Sequence, residues 1–188
     1  MFFKAFLLRL MHLCKMNGTI LPATSVDISQ LLQLINSAYR GEHAKKGWTH
    51  EADLIDGAIR TDEVSLQQLI EKPAATILKV QQDNKILGCV YLEKKEERLY
   101  LGMLTVAPEI QAQGIGKQLL RAADEYAKQI NCTTIEMTVI SVRQELIRWY
   151  ERNGYHQTTK REPFPSDGKF GNPRQQLEFV YLEKQLRV

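Results

Sequence analysis

The low or ordinary content of cysteine, proline and glycine in this sequence excludes several classes of protein. Its 188 residues include three cysteines, six prolines and eleven glycines. Glycine and proline at these ordinary levels exclude collagen-like, linker-like and disordered chains. The cysteines, Cys14, Cys89 and Cys132, are odd in number and lack C-x-x-C spacing. We therefore expect no disulfide, no zinc site and a cytoplasmic location.

An excess of charge of one sign is also lacking. Lys and Arg number 25 against 22 Asp and Glu, a net charge of +3, and they form no basic block of the kind that binds a phosphate backbone. We therefore expect no nucleic-acid partner. His43 and His50 lie beside Glu42 and Glu51, but their spacing closes no metal site, so we interpret the histidines as surface residues.

Residues 1–16 form a strongly apolar extension that is interrupted by Lys4, Arg9, His12 and Lys15. The interruptions exclude a membrane span, and no small-residue cleavage site indicates a signal peptide. We interpret the extension as a helix packed on its own domain or as the result of an upstream start. A membrane-surface or partner-docking helix is the alternative. Residues 17–188 have the length of a single domain.

The first half of the chain is predicted to end in a three-stranded antiparallel meander. Alternating apolar residues and tight turns indicate strands at 75–81, 86–94 and 99–106. Before them the pattern predicts a strand at 19–23, a helix from Thr24 or Ser25 to Arg40, a loop at 41–49, and short helices at 51–59 and 65–71.

The second half alternates helices with strands, which is typical of α/β proteins. The spacing predicts helices at 114–130 and 143–153, and strands at 134–140, 155–160 and 177–182.

Residues 104–117 are the segment that indicates a ligand site, because they run from a strand through a glycine-bearing turn into a helix. The first N–H groups of a helix lack internal partners and lie at its positive end, and glycines allow a phosphate to approach them closely. Lys117, in the first turn, adds positive potential. The sequence therefore predicts a site for a phosphate-bearing ligand.

Two well-known phosphate loops fit this segment poorly. A nucleotide-triphosphate loop needs Ser or Thr after Gly116-Lys117, where Gln118 stands, and Gly at position 111, where Gln111 stands. A dinucleotide fingerprint needs a third glycine at the position of Leu119, although Glu136, about twenty residues on, suits it. The dinucleotide interpretation stays open as a weaker alternative.

The motif Gln-x-x-Gly-x-Gly, after a strand ending in Val-x-Pro, resembles the pyrophosphate loop of the GNAT superfamily of acetyl-CoA-dependent N-acetyltransferases. The resemblance runs from about Gly88 to Tyr155 and includes a helix that ends in Tyr150-Glu151-x-x-Gly154-Tyr155. It implies an α/β (α+β) fold with a mixed, mostly antiparallel sheet of six to seven strands. Helices would cover both faces, and a splayed strand pair would hold the cofactor.

The resemblance also implies roles for particular residues. Backbone groups of Leu104, Thr105 and Val106 would hold the pantetheine arm, and Tyr150 would protonate the departing thiolate. Arg143 replaces the family's usual Asn and is expected to meet phosphate or substrate. The pyrophosphate would be bound by Gln111, Ala112, Gln113, Gly114, Ile115, Gly116 and Lys117.

The acceptor side follows by analogy, with Tyr39, Trp48 and Thr49 over the acceptor pocket. Glu136, Glu51 and His43 are candidates for the general base, and each also has a purely structural interpretation. The resulting hypothesis is direct acetyl transfer from acetyl-CoA to a primary amine, in a small molecule or a peptide, without a covalent intermediate on cysteine. A non-catalytic acyl-CoA sensor is the alternative, and a homodimer is an open expectation.

Overall fold

The computed structural model describes residues 18–165, 168 and 171–186. The apolar extension expected at 1–16 lies outside them. In chain order the strands are β1 (Thr19–Pro22), β2 (Ile55–Asp56), β3 (Ala75–Gln82), β4 (Lys85–Lys95), β5 (Arg98–Val106), β6 (Thr134–Ile140), β7 (His156–Pro163), β8 (Asn172–Pro173) and β9 (Glu178–Gln185). The α-helices are α1 (Ile28–Tyr39), α2 (Gly41–Ala44), α3 (Glu63–Glu71), α4 (Ile115–Gln129) and α5 (Gln144–Glu151).

Seven of the strands form one sheet in the order β1-β3-β4-β5-β6-β9-β7. The β5–β6 pair is parallel and the other pairs are antiparallel. Strands β2 and β8 pair separately. The predicted mixed, mostly antiparallel sheet is therefore confirmed.

Helices cover the two faces of the sheet, as expected. On one face α4 buries Leu119, Ala123 and Ala127 completely in the larger core. On the other face α1 and α3 bury Leu31 and Leu66 in a second core. Among the described residues, no helix combines the length and the apolar character needed to cross a membrane.

The parallel strands β5 and β6 are paired only at one end, where Arg98–Tyr100 lie beside Thr134–Glu136. The pairing of β5 with β4 shifts between Cys89 and Tyr91. Opposite this irregularity Met103 has a φ of 50°, a left-handed conformation typical of a bulge that bends a strand. Beyond Tyr100 the two strands therefore diverge, which gives the predicted splayed pair.

Two local predictions are wrong. The helix predicted at 51–59 is replaced by turns around β2, where Ile55 pairs with Pro173 and is buried. Gly57, with a φ of 138°, also breaks any helix there, so pairing with a distant strand overrides the local helical spacing. The loop predicted at 41–49 contains the one-turn helix α2.

Candidate active site

A cleft of about 440 Å³ opens beside the end of β5. The described part of its wall comes from five segments: the end of α1, the chain after α2, the end of β5, the turn that leads into α4 together with its first residues, and one side of α5. The lining residues are Tyr39, Trp48, Thr49, Leu104, Val106, Gln111, Ala112, Gly114, Ile115, Gly116, Lys117, Glu145, Leu146, Trp149, Tyr150 and Arg152. The structure thus brings together the residues predicted to bind the cofactor, except Thr105, Gln113 and Arg143.

The turn before α4 has the backbone shape that an anion site needs. Ala112 and Gly114 have φ values of 65° and 90°, and these left-handed conformations turn the chain sharply into the helix. The first i to i−4 bond of α4 runs from Gln118 N to Gly114 O, at 3.0 Å. The N–H groups of residues 115–117 therefore have no acceptor within the helix, at the end where the macrodipole favours an anion.

Gly116 allows α4 to approach α5 closely. A Cβ atom at position 116 would lie 3.3 Å from the ring of Trp149, which is tighter than ordinary van der Waals contact. Trp149 packs edge-on against Trp48 and Tyr150, with ring centroids 5.9 and 4.9 Å away. The second glycine of the motif therefore lets an aromatic wall stand beside the turn.

The side chain of Gln111 holds another part of the protein. Its Nε2 donates to Thr49 Oγ1 at 3.0 Å and to Val106 O at 3.2 Å. Its Oε1 accepts from Trp48 N at 2.9 Å. A Cβ at Gly47 would lie 2.7 Å from Gln111 Nε2, so a larger residue there would displace this amide. The structure thus places this amide between the glycine turn and the segment over the cleft.

Tyr150 lies where the cleft meets a second cavity and lines them both. It is 6% exposed. Burial raises the pKa of the Tyr150 phenol far above its usual value, and the nearby Tyr39 raises it further. Arg143 offsets only part of this increase. The phenol therefore stays protonated at neutral pH and is able to donate a hydrogen bond at the cleft.

Two side chains of the protein donate hydrogen bonds to backbone carbonyls of β5 at the cleft. Tyr39 donates its hydroxyl hydrogen to Leu104 O at 2.8 Å, and burial, together with the charge of Glu51, raises the pKa of Tyr39 to about 12. The Thr105 hydroxyl donates to Met103 O at 3.0 Å. Tyr39 is therefore fixed against the strand predicted to bind the pantetheine arm.

The second cavity has a volume of about 180 Å³ and lies across Leu104 from the first. Of the residues that the structure describes, four line both cavities: Tyr39, Leu104, Leu146 and Tyr150. The strand segments that form its floor are Leu101–Leu104 of β5 and Met137–Ile140 of β6. These are the parts of the two strands that have separated, so the splay creates this cavity.

Arg143, expected to meet phosphate or substrate, is turned toward the chain before β2. Its Nη2 donates to Trp48 O at 2.8 Å, and its Nη1 donates to His50 O at 2.6 Å and to Thr49 O at 3.3 Å. Its Nε is 2.5 Å from Glu145 Oε1. Arg143 lines the second cavity while fastening residues 48–50 to the start of α5.

Two of the candidate bases lie away from the shared wall. Glu136 sits where β5 and β6 are still paired, opposite Tyr100 and 3.7 Å from Arg98, and is not among the described residues that line the two cavities. His43 is half-exposed and pairs with Glu109 at 2.5 Å. Glu51, the third candidate, does line the second cavity.

Several residues at the site were missed by the sequence analysis. Trp149, Leu146 and Glu145 line the cleft from α5, and Arg60 lines the second cavity. The cleft side of α5 was visible as a signal, since Leu146, Trp149 and Tyr150 follow helical spacing. Arg60 had no local signal, because it comes from an irregular segment.

The mixed sheet parts at its parallel pair beside a glycine turn, which is the arrangement that the resemblance to the GNAT superfamily implies. The sequence pattern of the Acetyltransferase (GNAT) family matches residues 29–155. The chain therefore belongs to the GNAT acetyltransferase family, and acetyl-CoA is its co-substrate. A comparison with curated proteins found no match.

Solved structures show the same fold at low identity. A probable acetyltransferase from Staphylococcus epidermidis is 13% identical, with a TM-score of 0.69 over 92% of this chain and 100% of its own. The ribosomal-protein-alanine N-acetyltransferase from Brucella melitensis is 17% identical, with a TM-score of 0.67 over 89% of this chain and 99% of its own. The PaiA N-acetyltransferase from Thermoplasma acidophilum, solved with coenzyme A, is 19% identical, with a TM-score of 0.66 over 90% and 99%.

Proposed function

We propose that the protein transfers the acetyl group of acetyl-CoA directly to a primary amine. The observation that carries the proposal is the wall shared by the two cavities, formed by Tyr39, Leu104, Leu146 and Tyr150. A thioester held in the larger cleft would present its carbonyl at this wall. An amine in the smaller cavity would then reach the carbonyl without first acylating the protein.

The proposed reaction balances without an enzyme-bound intermediate. The amine nitrogen forms a bond to the carbonyl carbon, the C–S bond breaks, and the sulfur takes the proton of the Tyr150 hydroxyl. The new amide nitrogen releases one proton to water, and Tyr150 regains its own from solvent. Backbone N–H groups near Leu104, beside the Met103 bulge, are the proposed donors to the developing oxyanion.

The two cysteines that the structure describes have properties that support direct transfer. Cys89 is completely buried, and burial raises its pKa to about 12. Cys132 is also buried, and burial raises its pKa as well. A thiol with a raised pKa is a poor nucleophile at neutral pH.

Replacing the proposed acid tests this mechanism. General acid catalysis contributes on the order of a hundredfold or more, so Tyr150→Phe is expected to lower kcat by about 100-fold while leaving acetyl-CoA affinity unchanged. Turnover is measured as thiol released from acetyl-CoA with a panel of amines. Binding is measured separately by calorimetry.

Tyr155→Phe is the matched control, because its ring packs against Tyr150 at 5.7 Å and its buried hydroxyl has no hydrogen-bond partner among the described residues. We expect this variant to keep the wild-type kcat. Equal activity of wild type and Tyr150→Phe would remove Tyr150 from the chemistry. Binding of acetyl-CoA by a wild-type protein that turns over no amine would favour the acyl-CoA sensor.

A further inference from the structure

The size of the second cavity limits the group that enters it. Its volume of about 180 Å³ equals that of roughly six water molecules at about 30 Å³ each. Its floor is closed by strand residues of the sheet, including Gly102, Met103 and Thr138. It therefore suits a molecule, or part of a molecule, of about the size of an amino acid.

The cavity offers little to a second ammonium group. Among the described lining residues, Glu51 is the only carboxylate, and it is already engaged by two guanidinium groups. Arg40 Nη1 lies 2.5 Å from Glu51 Oε2, and Arg60 Nε lies 3.6 Å from the same oxygen. The Arg40 side chain is completely buried, so drawing Glu51 away from it would break a buried ion pair. Glu51 is thus held for structural reasons.

Among the described residues around the cavity, positive charges outnumber negative ones. Arg60 and Arg143 line it, and with Arg40 they make three guanidinium groups against the carboxylates of Glu51 and Glu145. Arg60 keeps a quarter of its side chain exposed. An anionic group would therefore find a matching charge here, whereas a second cation would not.

Arg60 is also close to the proposed reaction point. Its guanidinium carbon lies 5.7 Å from the centre of the Tyr39 ring, and the hydroxyl of that ring bonds Leu104 O at 2.8 Å. Arg60 and Leu104 are thus separated by about the span of one tyrosine side chain. This spacing allows one small molecule to reach them simultaneously.

We propose that the acceptor is a small amine that also carries a carboxylate, as a free amino acid does. Its carboxylate binds Arg60, and its amine faces the wall formed by Leu104 and Tyr150. The inference rests on the proposed function. The positive surroundings favour the neutral form of the amine, which is the form that attacks a thioester.

The test compares amines that carry a carboxylate with amines that lack one. The full-length protein is assayed with acetyl-CoA and the common amino acids, with the amides of the same amino acids, and with spermidine. We expect kcat/KM to be at least tenfold higher for the best acid than for its own amide, with spermidine as poor as the amides. In Arg60→Gln the ratio of acid to amide is expected to fall toward one, while Arg60→Lys is expected to retain a preference for the acid.

Arg174→Gln is the matched control, since it breaks an exposed arginine–aspartate pair (2.7 Å to Asp56) that lies away from both cavities. We expect it to leave the ratio unchanged. Preference for amides or spermidine, or an Arg60→Gln variant with the wild-type ratio, would overturn the inference and leave the proposed function intact. A protein that binds acetyl-CoA and acetylates no amine would overturn the inference and the proposed function together.

Discussion

At the scale of single residues, a buried ion pair ties the start of α1 to the sheet. Lys79 Nζ in β3 lies 2.5 Å from Asp27 Oδ1, and the two residues are 6% and 5% exposed. Asp27 Oδ2 also accepts from the backbone N–H of Thr24 at 2.8 Å. The two charges therefore compensate each other in a buried position, where water solvates them little.

Removing one partner of this pair is expected to be costly. Asp27→Ala would leave the Lys79 ammonium buried without a counter-ion, so we predict a loss of about 3–5 kcal/mol of unfolding free energy. Urea unfolding monitored by circular dichroism measures it. Asp53→Ala, which removes an exposed partner of Lys45 at 3.6 Å, is the control and is expected to cost at most about 1 kcal/mol.

The same ion pair makes the free energy of unfolding depend on pH. Burial alone would raise the pKa of Asp27, but the hydrogen bonds from Lys79 and Thr24 lower it below 3.8. The contribution of Asp27 is therefore complete above its unfolded pKa and is lost as pH falls through the lowered folded value. The difference in stability between wild type and Asp27→Ala should shrink in that acid range, and a constant difference would contradict this account.

Single residues of the candidate site differ in how far the sequence predicts them. Tyr150 and Gly116 belong to local motifs, so spacing along the chain was enough to find them. The partners of Gln111 and Arg143 lie 62 to 95 residues away, in the segment 48–50. Only the fold determines where such long polar side chains end, so the sequence could not show that they hold this segment.

At the scale of elements, the segment 47–50 is held from two directions. Gln111 fastens it to the turn before α4, and Arg143 fastens it to the start of α5. The segment itself has no regular secondary structure. Its conformation over the cleft therefore depends on these two side chains.

Arg143→Ala is expected to release this segment. The carbonyls of Trp48, Thr49 and His50 would lose their donor, at a cost of about 1–3 kcal/mol of stability. We predict faster hydrogen exchange at 47–51 and a rise in the KM of the acceptor that exceeds any change in acetyl-CoA affinity.

The control is Arg148→Ala, an exposed arginine of the same helix, for which exchange at 47–51 should stay at the wild-type rate. Exchange in Arg143→Ala that matches wild type would contradict this role of Arg143. Since Arg143 binds the three carbonyls through both terminal nitrogens, Arg143→Lys is expected to restore only part of the protection.

Elements with strong periodicity were predicted well and irregular ones were not. The helix predicted at 114–130 is observed as Ile115–Gln129, because its apolar stripe coincides with the face that the sheet covers. The segment 51–59 has a helical pattern but pairs instead with residues 172–173, which are more than 110 positions away. Local spacing carries no information about such a partner.

At the scale of the whole molecule, the sheet consists of two parts with a narrow connection. Strands β1, β3, β4 and β5 form one part, and β6, β9 and β7 form the other. Between them the ladder joins only residues 98–100 to 134–136. A ligand that lies between the separated strand ends would add contacts to both parts, and only in the folded state.

Acetyl-CoA is therefore expected to stabilise the protein against heat. A ligand at about 100 times its dissociation constant adds roughly 2.7 kcal/mol, which corresponds to about 5–11 °C in Tm when each kcal/mol moves a domain of this size by about 2–4 °C. Differential scanning fluorimetry with acetyl-CoA, CoA, NADH and ATP at equal concentration measures the shift.

Tyr150→Phe should show the same shift with acetyl-CoA, because the phenol acts on the leaving sulfur and contributes little to affinity. NADH and ATP should give none, since Leu119 stands where a dinucleotide loop needs glycine and Gln118 where a triphosphate loop needs Ser or Thr. A shift with NADH alone would restore the dinucleotide interpretation of the glycine turn.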